Sequence, residues 1–199
     1  MHKVAEEYLK KKDKKLGRII DSVGSCKLNH KTRNKFDVLA SSIVGQQLSA
    51  KAAKTIKGRV LKLTGSKTIL KVENILDIDI KQLRKTGLST AKASYIHFLA
   101  ENITSGKLNL KNLQKQNEDD IYKILISQKG IGKWTAEMFM IFSLGKTDIL
   151  STGDAGLIRA VQLVYGLKEK PNPEEFTNIA KKWRPYRSIA SWYLWRTID

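Results

Sequence analysis

The stretch "QKGIGKWTAEMFMIF", residues 128–142, sets two glycines one residue apart, followed by a lysine, a tryptophan and an apolar run. The residues before it, "IYKILIS" at 121–127, have the spacing of an amphipathic helix end, and those from Trp134 onward predict a second helix. Between them "QKGIG" has room only for a tight turn. Gly130 and Gly132 can take positive φ and leave the backbone uncovered. Successive N–H groups in such a turn, beside a helix N-terminus, make a nest suited to a phosphate. Lys133 adds a cation at the same spot, and Ile131 is expected to pin the turn into the core between the two helices. A glycine pair alone is a weak signal, because turns between helices use glycine routinely.

The charge balance strengthens that signal. The chain has 199 residues, enough for one domain or two small lobes, and 37 Lys+Arg against 19 Asp+Glu give a net charge of +18. A surplus of that size on a folded chain points to a polyanionic partner, most commonly nucleic acid. Helix, G-apolar-G-Lys, helix in so basic a chain is the helix-hairpin-helix pattern of sequence-independent DNA backbone binding. The single cysteine, Cys26, excludes an intramolecular disulfide and any four-cysteine zinc or iron–sulfur site within one chain. No metal and no cofactor is expected. No run approaches the ~20 apolar residues that span a bilayer, and "MHKVAEEYLKKKDKKLGR" lacks the apolar core of a signal peptide. These features predict a cytoplasmic protein, associated with the nucleoid when bound to DNA, with no membrane partner and a monomer as the default state.

Only three prolines occur, so most of the chain is free to be helical. Leu39, Ile43, Ala50, Ala53, Ile56 and Val60 lie on three- and four-residue spacings. Ala93, Ile96 and Ala100 share one face, as do Leu157, Val161 and Val164, and the last set ends at Gly166 as a helix C-cap would. Strand alternation is scarce. The pattern predicts an all-α protein of eight to ten helices. "KTRNKF" (31–36) reads as a polar joint between a single basic N-terminal helix and the central helical block, and "LGKTDILSTG" (144–153) as a second joint. They divide a central lobe, 37–145, from a second lobe built of both chain ends, 1–36 and 146–199.

Four segments together resemble the helix-hairpin-helix DNA glycosylases, in particular the 3-methyladenine DNA glycosylase II branch. They are "SSIVGQQLSAKAA" (41–53), "LRKTGLSTAKASYI" (83–96), "LISQKGIGKWTAEMFMIFSLGKTDILSTGDAGLIRAV" (125–161) and "WRPYRSIASWYLWR" (183–196). The resemblance covers most of the chain beyond about residue 37 and implies a two-lobed fold with double-stranded DNA containing damaged bases lying across the cleft. Longer members carry an N-terminal β-rich domain for which the residues ahead of the first motif leave no room. Asp154 aligns with the family's catalytic aspartate, although many relatives have Asp where this chain has Gly153. Read without the family, Asp154 is a helix N-cap. Capping and catalysis are compatible, and glycines at 153 and 156 are expected to leave the side chain uncovered on both sides.

The resemblance also assigns the pocket and the DNA contacts. Bifunctional relatives carry a nucleophilic lysine two positions after the second hairpin glycine. Here that position is Trp134, and an indole is no amine nucleophile, which predicts a monofunctional glycosylase. Trp134 and Trp195 are implied to line the pocket of the flipped base, with Met138 one helical turn on; a cationic base suits an indole face. Trp183 and Trp192 read as packing residues. In "GQQL" (45–48), Gln46 and Gln47 offer hydrogen bonds to minor-groove acceptors and Leu48 an apolar wedge, with Gln47 the aligned plug for the vacated stack. Plain helix surface is the alternative for both glutamines. Gly130, Ile131, Gly132, Lys133 and Thr135 complete the implied DNA contacts. Two other functions stay open from the residues alone: a non-enzymatic DNA-binding module, and a glycosylase/lyase using a different lysine.

Overall fold

The computed structural model describes residues 2–28 and 34–198. Among them it is all-helical, with twelve α-helices, two 3-10 turns and no strand. The chain divides into two compact units, Lys31–Phe139 and, from both ends, Met1–His30 with Met140–Asp199. The second division lies inside a helix, ahead of the 144–153 loop. The last turn of that helix belongs with the terminal unit because Phe142 packs on Trp195 (ring centroids 5.8 Å apart) and the Met140 carbonyl accepts from the Lys146 amide. Residues 31–33 of the first expected joint lie outside the described residues.

The central unit begins with α3 (Lys35–Gly45), capped by the Asn34 side chain on the Asp37 amide. Next come α4 (Ala50–Leu63), α5 (Val72–Leu76), α6 (Ile80–Lys85), α7 (Thr90–Thr104) and α8 (Glu118–Ile126), before α9 (Lys133–Phe142) crosses the division. Here the helix count exceeds the sequence expectation: α5 and α6 run five and six residues, too short for a periodicity to register. Asp79 and Gln82 close a capping box on α6, whereas the N-cap of α5, Lys71, makes no side-chain cap bond. The predicted face of α7 is the buried one, with Ala93, Ile96 and Ala100 all fully buried. The apolar face of α4 is only partly covered: Val60 is buried, while Ala50 faces solvent.

In the terminal unit, the single basic N-terminal helix of the sequence reading is two, α1 (Lys3–Lys12) and α2 (Lys14–Val23). Asp13 breaks them apart. Its backbone is extended (φ −145°, ψ 100°), and its carboxylate caps α2 by accepting from the Lys15 and Leu16 amides. The remaining helices are α10 (Ala155–Tyr165), which ends on left-handed Gly166 as expected, α11 (Pro173–Ala180) and α12 (Arg187–Trp195). The same Asp13 side chain, 3% exposed, accepts from the Trp183 indole at 2.9 Å, the Tyr165 hydroxyl and the Lys182 ammonium at 3.1 Å. Trp183 is fully buried and serves packing through this bond.

A buried carboxylate with that many donors yields a stability prediction. Burial alone would raise the Asp13 pKa; the donors of Trp183, Tyr165 and Lys182 outweigh it and hold the group below the ordinary carboxylate value. A depressed folded pKa contributes stability above the unfolded value of ~3.9, and that contribution is lost as pH falls through the folded pKa. Asp13→Ala is expected to cost about 3 kcal/mol at neutral pH, since it strands buried donors. The gap from the parent protein should narrow below about pH 4. Urea unfolding of both proteins at pH 7 and at about pH 3 measures the two gaps; equal gaps would refute the assignment.

Candidate functional site

The hairpin closes on one backbone bond, from the Ile131 amide to the Gln128 carbonyl at 3.1 Å. Its two glycines, both free to take positive φ, differ. Gly130 does, at +84°, and a Cβ there would fall 2.5 Å from the Tyr95 ring. Gly132 has no left-handed φ, and a Cβ on it would meet nothing within 4 Å. Ile131 is buried, as a pin for the turn requires. α9 starts at Lys133, and the Ala136 amide bonds back to the Gly132 carbonyl at 3.0 Å. The first-turn N–H groups of a helix carry the positive end of its dipole. Lys133 projects into solvent beside them, 4.0 Å from the Glu137 carboxylate. Thr135, implied as a DNA contact, is 5% exposed, so its side chain is turned away from solution.

A second exposed turn lies between α3 and α4. Gln47 adopts the left-handed conformation, φ +55°, and is exposed; Leu48 is 39% exposed. A non-glycine residue held at positive φ stores strain of order 1 kcal/mol, a pattern common at functional loops. The Gln46 side-chain amide donates one N–H to the Gly130 carbonyl at 2.7 Å, which ties this turn to the hairpin. Gln46, Gln47, Lys92, Tyr95 and Trp134 line a depression of about 790 Å³ within this unit. Trp134 is 51% exposed, the reverse of what a tryptophan early in an amphipathic helix ordinarily does, and Met138 on the same helix is half-buried.

The carboxylate site belongs to the terminal unit. Asp154 N-caps α10: its Oδ1 accepts from the Leu157 amide at 2.7 Å and from the Trp195 indole N–H at 3.0 Å. Two donors on one oxygen fix the plane of a half-buried carboxylate. The flanking glycines again divide. Gly153 opens on empty space, whereas a Cβ at Gly156 would lie 3.2 Å from Ile198 and 3.3 Å from Oδ1. Gly156 therefore gives the carboxylate room beside Trp195 instead of leaving that side uncovered. Trp192, stacked edge-on with Tyr193 at 5.0 Å, is buried.

Several positioning contacts carry no sequence signal of their own. Arg187 grips the Asp148 carboxylate through Nε at 2.7 Å and Nη2 at 3.0 Å, and the Asp148 carbonyl at 2.6 Å; Arg184 adds a bond at 3.1 Å. The Ser188 hydroxyl accepts from the Ile149 amide. The "WRPYRS" segment thus anchors the loop leading into Asp154, through pairs some forty residues apart in sequence. Burial pushes the Cys26 thiol up to about 11, which keeps it protonated and unreactive. Among the described residues no group of three or more His, Cys, Asp or Glu is placed to hold a metal ion, and no helix is long and apolar enough to cross a membrane.

Residues 40–185 match the HhH-GPD superfamily of base excision DNA repair proteins. An alkylbase DNA glycosidase-like protein of Schizosaccharomyces pombe is 31% identical over 98% of this chain and 93% of its own length. The chain belongs to the HhH-GPD superfamily. Within it the chain falls in the 3-methyladenine DNA glycosylase branch. A crystal structure of a DNA-3-methyladenine glycosidase from Bacillus halodurans superposes with a TM-score of 0.88 at 38% identity, covering 97% of this chain and 88% of that one. The 3-methyladenine DNA glycosylase Mag1 of S. pombe, solved in complex with abasic DNA, gives 0.83 at 28% identity over 97% and 95%. HhH-GPD membership accounts for the hairpin, and the all-helical fold agrees with these structures.

Proposed function

We propose that this HhH-GPD protein is a monofunctional DNA glycosylase that hydrolyses the N-glycosidic bond of alkylated bases, of the 3-methyladenine and 7-methylguanine type, in flipped-out nucleotides. One observation supports this above the rest: the chain presents a carboxylate, Asp154, fixed by two N–H donors at a helix N-terminus. Departure of the base builds positive charge on the deoxyribose, as in glycoside hydrolysis. A carboxylate about 4 Å from that charge supplies roughly 4 kcal/mol at an effective dielectric of 20. Normal bases leave too poorly for so modest an aid. A base alkylated on a ring nitrogen already carries the positive charge and departs neutral, so the lesion's own lability supplies part of the selectivity. The names of the relatives, alkylbase and 3-methyladenine glycosylases, favour the same substrate class.

In this reading Gly130, Gly132 and Lys133 hold a DNA phosphate, Gln47 and Leu48 enter the vacated stack, and Trp134, Met138 and Trp195 contact the extruded base. Trp134 at the position of the lyase lysine favours simple hydrolysis. Duplex DNA carrying 7-methylguanine tests this when abasic sites and strand breaks are scored separately. The expected products are free base and heat-labile abasic sites, with no direct nicking and no covalent adduct on borohydride treatment. A borohydride-trapped complex would instead establish a lyase, and DNA binding without release from any methylated lesion would leave a binding module.

A further inference from the structure

The contacts spent by Gln46 and Lys92 serve neither chemistry nor DNA directly, and they meet at the two exposed turns of the central unit. The Lys92 ammonium donates to the Val44 carbonyl at 3.0 Å and the Gln46 carbonyl at 2.5 Å. Carbonyls at a helix end lack intrahelical donors, so a cation there both satisfies them and complements the helix dipole. Burial holds the Lys92 pKa below its ordinary value, and two carbonyl acceptors offset that loss of water. From the same backbone position, the Gln46 side chain reaches the Gly130 carbonyl at 2.7 Å. That carbonyl can only accept, which fixes the amide with its nitrogen toward the hairpin. Three residues after Lys92, on the same face of α7, Tyr95 closes the space over Gly130. One helix face therefore touches both turns, and Gln46 bridges them directly.

Between these ties sits Gln47, left-handed at φ +55°, with the Leu48 amide bonded to the Gly45 carbonyl at 3.2 Å. Such a conformation is disfavoured by roughly 1–2 kcal/mol and persists only where its neighbours impose it. Lys92 holds the backbone on the N-terminal side of Gln47, and the Gln46 amide fixes that backbone to the phosphate-binding loop. We propose that Lys92 and Gln46 are positioning residues that couple seating of a phosphate on the hairpin to insertion of Gln47 into the DNA stack. The inference rests on the glycosylase reading for what insertion is for, but the coupling itself concerns two loops and can be read without base release.

The test uses full-length protein and duplex DNA carrying an abasic-site analogue beside 2-aminopurine, whose fluorescence rises when a side chain unstacks it. Lys92→Met and Gln46→Leu remove the two ties separately and keep most of the side-chain bulk. Each is expected to lower the fluorescence response and single-turnover release of 7-methylguanine by about tenfold. For Lys92→Met, affinity for undamaged duplex should stay within about twofold, because the phosphate contacts are intact. Lys92→Arg, which still donates to two carbonyls, is expected to restore both readouts. In a Gln47→Ala background either substitution should change release by less than about twofold, since residues acting as a unit are non-additive. A full tenfold loss on top of Gln47→Ala, or an unchanged fluorescence response in both single variants, would overturn the coupling. If Lys92→Met fails to fold, the Gln46→Leu cycle decides alone. A parent protein that gives the fluorescence response yet releases no methylated base refutes the glycosylase reading and leaves the coupling standing.

Discussion

Asp154→Asn is expected to lower single-turnover release of 7-methylguanine by about three powers of ten, the equivalent of the roughly 4 kcal/mol that a carboxylate contributes beside a forming sugar cation. Asparagine suits this test because of what it preserves. Its carbonyl oxygen still accepts from the Leu157 amide and the Trp195 indole, the two bonds that orient the native side chain. Asparagine is also among the best N-cap residues, so α10 keeps its start. Melting temperature should therefore barely move while the charge disappears. Asp154→Ala removes cap and charge together, and should show the same kinetic loss plus about 1 kcal/mol of instability. Comparing the two separates the capping role from the catalytic one. Release unchanged in Asp154→Asn would sink the catalytic assignment, whatever the alanine variant did.

The features legible in the sequence were the ones whose physics is local. A glycine ending an apolar spacing predicts a left-handed C-cap, and Gly166 is one. An aspartate before an apolar helix predicts an N-cap, and Asp154 is one. The turn at "QKGIG" follows from the lack of residues to make anything longer. Local rules also misled where the competing partner is distant. "KKKDKK" reads as a continuous basic helix, yet Asp13 breaks it because Trp183, Tyr165 and Lys182, all more than 150 positions away, draw its carboxylate inward. Gln46 looks like surface in its own helix, and its bond to Gly130 spans 84 positions. The Trp195 indole bond to Asp154 spans 41. Such partners leave no periodicity to read; they exist only once the helices have packed.

The glycine pair makes the second large prediction, because the two positions are glycine for different reasons. At Gly130 a side chain must enter left-handed backbone at φ +84° and place its Cβ 2.5 Å from the Tyr95 ring, with the Tyr95 Cβ itself only 2.9 Å away. The near atoms include the root of the tyrosine, so rotating the ring cannot clear the clash. Strain of about 1–2 kcal/mol from the backbone and a similar cost of overpacking make Gly130→Ala about 3 kcal/mol less stable than the parent. Gly132→Ala meets open space at ordinary φ, and its effect on folding should stay within about 1 kcal/mol. If the hairpin binds a phosphate through its backbone, the methyl group at 132 stands where that phosphate approaches. Gly132→Ala should then melt close to the parent protein yet bind undamaged duplex about tenfold more weakly, with a shallower dependence on salt. Thermal unfolding and duplex titration at two salt concentrations measure both effects. A folded Gly132→Ala protein with parental DNA affinity would show that the second glycine faces no phosphate, and the anion site would have to be sought elsewhere on this basic surface.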